Sequence, residues 1–125
     1  MSRSVAWVPG AASFVTGSWD ESVRVWDAEK GTPKHTIKEE DSVNAVAVSP
    51  DGELIASGTT ESVTTLFKVS TGEKVESFTG STGWVNALAF GQGGKTLAAG
   101  TEGGTLTLID LGTHKVTHEI PGKHG

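Results

Sequence analysis

The chain has 125 residues, the size of one domain, and 35% of them are hydrophobic, with no apolar run near the ~20 residues that a membrane helix needs. A formal net charge of −5 is opposite in sign to the footprint of a nucleic-acid binder and disfavours DNA or RNA as the main partner. Cysteine is absent, so disulfides, thiolate metal sites and redox chemistry at sulfur are excluded.

The opening Met1-Ser2-Arg3-Ser4 lacks the apolar stretch of a secretory signal, so the expected location is cytoplasmic or nuclear. Residues 5–8 form a first apolar stretch, followed by a turn at Pro9-Gly10. A second stretch, residues 13–17, ends at Gly17; a polar turn leads to a third, Val23-Arg24-Val25-Trp26. After a turn around Gly31 comes a more polar fourth stretch. The same order returns twice. Residues 43–48, the turn Pro50-Asp51-Gly52, residues 54–58, residues 63–67 and a turn around Gly72 make the second unit. Residues 85–90, the turn at 91–94, residues 96–100, residues 106–109 and a turn around Gly112 make the third. Such short runs, rich in β-branched residues and punctuated by turn residues, predict four strands per unit. The fourth stretches (Lys74-Val75-Glu76-Ser77 and Lys115-Val116-Thr117-His118) are the most polar, as edge strands in water should be.

Gly17, Gly58 and Gly100 recur at separations of 41 and 42 residues, and Trp26, Phe67 and Ile109 each lie nine residues beyond them. A fixed period of this length is the mark of a repeat architecture. Ser42-Val43-Asn44-Ala45-Val46-Ala47-Val48-Ser49-Pro50-Asp51-Gly52 and Gly17-Ser18-Trp19-Asp20-Glu21-Ser22-Val23-Arg24-Val25-Trp26-Asp27 resemble WD-repeat β-propeller sequence over essentially the whole chain. The resemblance implies an all-β propeller segment of three four-stranded antiparallel blades, near residues 3–38, 42–79 and 84–121, within one domain spanning 1–125. Trp-Asp is intact only at Trp26-Asp27; its counterparts are Phe67-Lys68 and Ile109-Asp110. The Gly-His expected before the first strand is Lys38-Glu39 and Gly80-Ser81, and the aspartate of the second turn is Asp20, then Glu61, then Gly103. The buried polar network that the resemblance implies is therefore complete nowhere, and Thr16, Asp20 and Trp26 are its best surviving part, with a structural role.

Propellers have ~4–8 blades, and closure of the ring covers the blade faces. Three blades would expose apolar faces at both ends, so completion by self-association or by another chain is expected. A homo-oligomer closing as a six-bladed dimer is favoured over a nine-bladed trimer, and membership of a larger propeller is the alternative. Gly122-Lys123-His124-Gly125 reads as the opening of a further repeat.

Three motifs suggest chemistry and do not carry it. Residues 89–96, ending Gly94-Lys95-Thr96, resemble a relaxed phosphate-binding loop, but Ala89 replaces its first glycine and a strand follows where the motif needs a helix. His114 and His118 have helical zinc spacing, yet on a strand they stand roughly 13 Å apart. Glu39-Glu40-Asp41 lies in a polar connection and is read as solvated. No cofactor, metal site or catalytic residue is assigned, and the chain is read as not an enzyme.

What the resemblance implies is a non-catalytic protein–protein interaction scaffold; the alternative is a purely structural segment of a larger ring. Its binding face would be the loops at residues 18–21, 59–61, 101–103, 38–42 and 81–84. Trp19 and Trp84 fall there, with Asp41, Glu61 and Glu102 making the rim acidic, so a basic or amphipathic protein or peptide is the expected partner. Packing against a neighbouring blade is the competing role for Trp19, and core packing is the one expected of Trp84. Trp7, aligned with Val48 and Phe90, is expected in the core.

Overall fold

The computed structural model describes residues 2–39, 42–61, 63–79, 84–91, 95–101, 104–113 and 115–120, with the backbone alone for residues 2, 3, 79, 118 and 119. Among them all regular structure is strand. The first sheet contains β1 (Ser2–Trp7), β2 (Ser13–Ser18), β3 (Ser22–Asp27) and β4 (Thr32–Lys38). The second contains β5 (Val43–Val48), β6 (Leu54–Thr59), β7 (Val63–Lys68) and β8 (Lys74–Thr79). The third contains β9 (Val85–Phe90), β10 (Thr96–Thr101), β11 (Leu106–Asp110) and β12 (Lys115–Ile120). Each sheet is an antiparallel meander in chain order, so the chain is all-β, in three four-stranded blades.

Two irregularities recur in every blade. The first strand is bulged opposite the end of the second, between Ser2 and Ser4, Val43 and Ala45, and between Val85 and Ala87 against Gly100 and Thr101. The fourth strand is bulged opposite the third, where the register steps from Val25/His35 to Trp26/Pro33, from Leu66/Glu76 to Phe67/Lys74, and from Leu108/His118 to Ile109/Val116. A bulge adds twist and re-aims the extra side chain. The outer-strand bulges blunt an edge that would otherwise template pairing.

Alternation along the strands gives each sheet two apolar faces, and the blades bury them against each other. Val15, Val23 and Val25 of the first blade meet Val43, Val46, Ile55 and Phe67 of the second. Ala56 and Leu66 of the second meet Leu97 and Ile109 of the third, with Leu88 and Phe90 packed alongside. Burying each such aliphatic side chain contributes roughly 1.5–3 kcal/mol.

The repeating glycine makes this packing close. A Cβ on Gly17 would lie 2.6 Å from Val43 Cγ1 and 2.9 Å from Val46 Cγ1. On Gly58 it would lie 2.4 Å and 2.7 Å from Val85 Cγ1 and Cβ. At each junction the next blade's first strand occupies the space a side chain would need. Gly100, the third of the series, has its nearest such neighbours at 3.5 and 3.7 Å, both within its own sheet.

Trp7 corrects an expectation. It does not enter the core but is 66% exposed, and Val5 beside it is 64% exposed. The register shows why: Trp7, Phe14 and Trp26 share the face that corresponds to Val48, Ile55 and Phe67 in the second blade. That face packs on a preceding blade, and the first blade has none here. Trp7 rests edge-on against Phe14 (centroids 5.5 Å apart), and Phe14 stacks on Trp26 at 6.0 Å.

Gly58→Ala should therefore lower the unfolding free energy by about 1–3 kcal/mol through overpacking. Gly100→Ala should stay within about 0.5 kcal/mol of the parent, because its surroundings leave room. Urea denaturation of the two variants side by side checks the contrast.

Candidate functional site

The turn between β2 and β3 is built by a small polar net. The Ser22 hydroxyl donates to Asp20 Oδ1 at 2.5 Å, and the Asp20 amide donates to Ser18 Oγ at 3.2 Å. Arg24 pairs with Asp20 Oδ2 at 3.3 Å. The Ser22 hydroxyl is the main reason that the Asp20 carboxyl is held down to about 2 from its ordinary 3.8, with Ser18 and Arg24 adding to it against partial desolvation. Glu21 takes a left-handed conformation (φ 70°), unusual for a residue with a side chain, and its carbonyl accepts from the Glu39 amide at 2.7 Å. The turn is thus tied both to its own hairpin and to the chain leaving the blade.

This turn carries Trp19 across the junction. Its indole Nε1 donates to Asn44 Oδ1 of β5 at 2.8 Å, and the Ser42 hydroxyl donates to the Trp19 carbonyl at 3.0 Å. Its ring meets that of Trp84, which precedes β9, at 6.4 Å between centroids and 83° between planes. Blades one, two and three each contribute one residue to this cluster: Trp19, Asn44 and Trp84. The two rings touch across the blades, with Trp19 41% exposed, and Trp84 departs from the expected core position: it lies just before β9, outside the sheet, and is 39% exposed. Glu61 is exposed at the matching turn of the second blade. Asp41 and Glu102 lie outside the described residues.

Thr16 and Trp26 are brought together, with Trp26 Nε1 donating to Thr16 Oγ1 at 2.9 Å. Asp20 is not part of that pair; its described bonds stay within its own hairpin. Two residues that the sequence did not single out do polar work. Asn44 receives the Trp19 indole, and the Ser57 hydroxyl donates to Glu39 Oε2. Ser57 occupies in the second blade the register position of Thr16, and Glu39 stands where a Gly-His was expected. Only the Lys38-Glu39 departure pointed to it. Asp27 and Asp110 cap the turns after the third strands, Asp27 Oδ1 accepting from the amides of Glu29 and Lys30 and Asp110 Oδ1 from those of Gly112 and Thr113.

The phosphate-loop look-alike is closed as a hairpin by the Gly91 amide donating to the Thr96 carbonyl at 2.7 Å. Residues 92–94 lie outside the described residues, as do residues 122–125, His114 and the side chain of His118. No helix among the described residues is long and apolar enough to cross a membrane.

Three antiparallel four-stranded sheets, seated on one another through glycine, define a set of propeller blades. Residues 3–27, 31–66 and 72–110 match the family "WD domain, G-beta repeat", and the chain belongs to that family. The last two matches begin in the turn before an outer strand and end on the third strand of the following blade, so the sequence repeat straddles two sheets. The chain is 42% identical over 66 residues to the small ribosomal subunit protein RACK1y of Oryza sativa subsp. japonica, covering 52% of this chain and 20% of that protein. It is 45% identical over 53 residues to ribosome assembly protein 4 of Saccharomyces cerevisiae, covering 41% of this chain and 10% of that one. The crystal structure of RRP9 WD40 repeats superposes with a TM-score of 0.91 at 20% identity, covering 97% of this chain and 38% of that one, and shows the shared fold. The chain thus spans a fifth or less of these curated relatives.

Because the Asp20 carboxyl is depressed when folded, its contribution to stability is present above its ordinary 3.8 and is lost as pH falls toward about 2. The carboxyl carbon of Asp20 should titrate by NMR with a midpoint near 2, and Asp20→Asn should flatten the fall of the urea midpoint across that window.

Proposed function

We propose that this chain is a non-catalytic protein-interaction scaffold that presents its loop face to a basic or amphipathic peptide or protein surface. The observation that carries this reading is the meeting of two half-exposed indoles, from the first and third blades, beside the second. Tryptophan concentrates binding energy at interfaces because it buries much area with few rotors. Exposed Glu61 and the net charge of −5 favour a basic partner, and Asp41 and Glu102 belong to the same acidic rim by sequence. Relatives named as a ribosomal subunit protein and a ribosome assembly protein support a protein partner in an intracellular setting.

Peptides selected from a phage-displayed library on the intact chain test the reading. Trp84→Ala should weaken the selected peptides by roughly thirtyfold, the effect of losing about 2 kcal/mol at a hot spot, with the far-UV spectrum unchanged. Glu61→Lys should slow association and reduce its salt dependence. A library that yields no binder, or binders indifferent to Trp84→Ala, would leave the purely structural reading in possession.

The open blade faces favour a second, compatible reading. Val5 and Trp7 are exposed at one end, Leu106 and Ile120 at the other, and Gly100 has room beside it where Gly17 and Gly58 receive a valine. We propose that further blades cover these faces, either from a second copy closing a six-bladed ring, favoured over a nine-bladed trimer, or from another polypeptide. Light scattering after size exclusion distinguishes the sources. Twice the chain mass identifies the second copy, and a folded species of single mass assigns the missing blades to other polypeptide.

A further inference from the structure

At the opposite ends of the strands from the loop face, a cleft of about 480 Å³ opens between the first and second blades. Its floor is apolar, made by Val8, Val25, Leu54 and Val69. Two turns approach closely at its edge: Gly52 (φ 75°) sits so near Pro9 that a Cβ on it would lie 2.9 Å from the Pro9 carbonyl oxygen. One wall belongs to β4 of the first blade and carries Lys34 and His35. The other belongs to the turn before β6 and carries Asp51 and Glu53. Lys34 is the extra residue of the β4 bulge. Its side chain reaches back across the sheet, and Nζ donates to Oγ of the buried Ser13 at 3.0 Å.

The two walls carry opposite charge and do not neutralise each other. Among the described residues Lys34 forms no ion pair, and Asp27, which feels its charge, spends Oδ1 on the amides of Glu29 and Lys30. The Ser49 hydroxyl and the Glu53 amide hold the Asp51 carboxyl below its ordinary range, and Lys68 at the rim pairs with Glu73 at 3.7 Å. The arrangement is no property of the repeat. The bulge residue is Val75 in the second blade and Thr117 in the third, and Glu53 corresponds to Ala12 and Lys95. A lone anion would meet Asp51 and Glu53, and a lone cation would meet Lys34, so the cleft suits neither. A dipolar molecule with an apolar body satisfies both walls and the floor, and the volume falls within the ~300–1,000 Å³ usual for ligand pockets. A cavity of that volume is about 8 Å across, which an extended dipeptide of roughly 7 Å matches. A single amino acid carries both charges on one carbon and would not reach from wall to wall.

We propose that this cleft binds a short zwitterion of dipeptide length with apolar side chains, its carboxylate on Lys34 Nζ and its ammonium between Asp51 and Glu53. The site shares no residue with the loop face and stands independently of that reading. Leucyl-leucine, titrated into the intact ¹⁵N-labelled chain, is the probe. It should shift the amides of Val8, Ser13, Leu54 and Val69 saturably and leave those of Trp19 and Trp84 in place. N-acetyl-leucyl-leucine and leucyl-leucine amide each lack one charge, and each should bind about tenfold more weakly or worse, through loss of a charge-assisted hydrogen bond. Lys34→Met should weaken leucyl-leucine by about the same factor and bind its amide within about twofold of wild type. No saturable shift up to about 10 mM, shifts centred on the loop face, or either blocked dipeptide binding within about twofold of the parent would overturn the inference. Should Lys34→Met fail to fold, the blocked dipeptides on the wild-type chain decide alone.

Discussion

The structure turns on the space denied to a side chain at Gly17 and Gly58. Val43 and Val46 stand where the Cβ of Gly17 would project, and Val85 stands where that of Gly58 would. An approach this close has little slack, so it sets how each blade sits on the last. The residues of the loop face are adjacent to these contacts in sequence. Trp19 follows Gly17 by two positions, Asn44 follows Val43 by one, and Trp84 precedes Val85 by one. The Trp19–Asn44 hydrogen bond and the Trp19–Trp84 contact are therefore consequences of where the glycine junctions put the strand ends, with the first-strand bulge at Asn44 interrupting the period-2 register. Packing that holds the blades together also builds the face available to a partner.

Apolar contact, rather than a repeated polar network, carries most of the cohesion. The first blade keeps the Trp26–Thr16 bond, the second replaces it with Phe67 in the core and a Ser57–Glu39 pair, and the third has Ala99 and buried Ile109 at the matching positions. Each loss of a hydrogen-bonding side chain is matched by an apolar one of suitable size, which avoids leaving a buried partner unsatisfied. Asn44 Nδ2 is the exception among the described residues.

Much of the architecture was legible because it rests on local pattern. The strand-length apolar runs and the turn residues between them act within one blade, and the 41- and 42-residue spacing of the glycines repeats that pattern from blade to blade. The Trp26–Thr16 pair was also foreseeable, since adjacent strands bring those positions together. Properties that depend on a neighbour in space were not. Trp7 aligns with core residues, but its burial requires a preceding blade, so it is exposed. Asn44 is hidden in an apolar run, and period-2 reasoning does not show that a bulge gives it to Trp19. Trp19 and Trp84 were each visible as candidates, yet their contact links turns 65 residues apart across an intervening blade. Glu39 read as a solvated carboxylate, and its bond to Ser57 emerges only when the chain after β4 reaches the second blade.

Junction packing brings Trp19, Asn44 and Trp84 into one cluster, and the Trp19 indole proton reports on that cluster. In ¹H–¹⁵N and NOE spectra of the folded chain, that proton should exchange slowly with solvent, and the Trp19 ring should show cross-peaks to the Trp84 ring. A rapidly exchanging Trp19 indole proton with no cross-peak to Trp84 would mean that the turn stands free of the neighbouring blades, and the loop face as described would not exist.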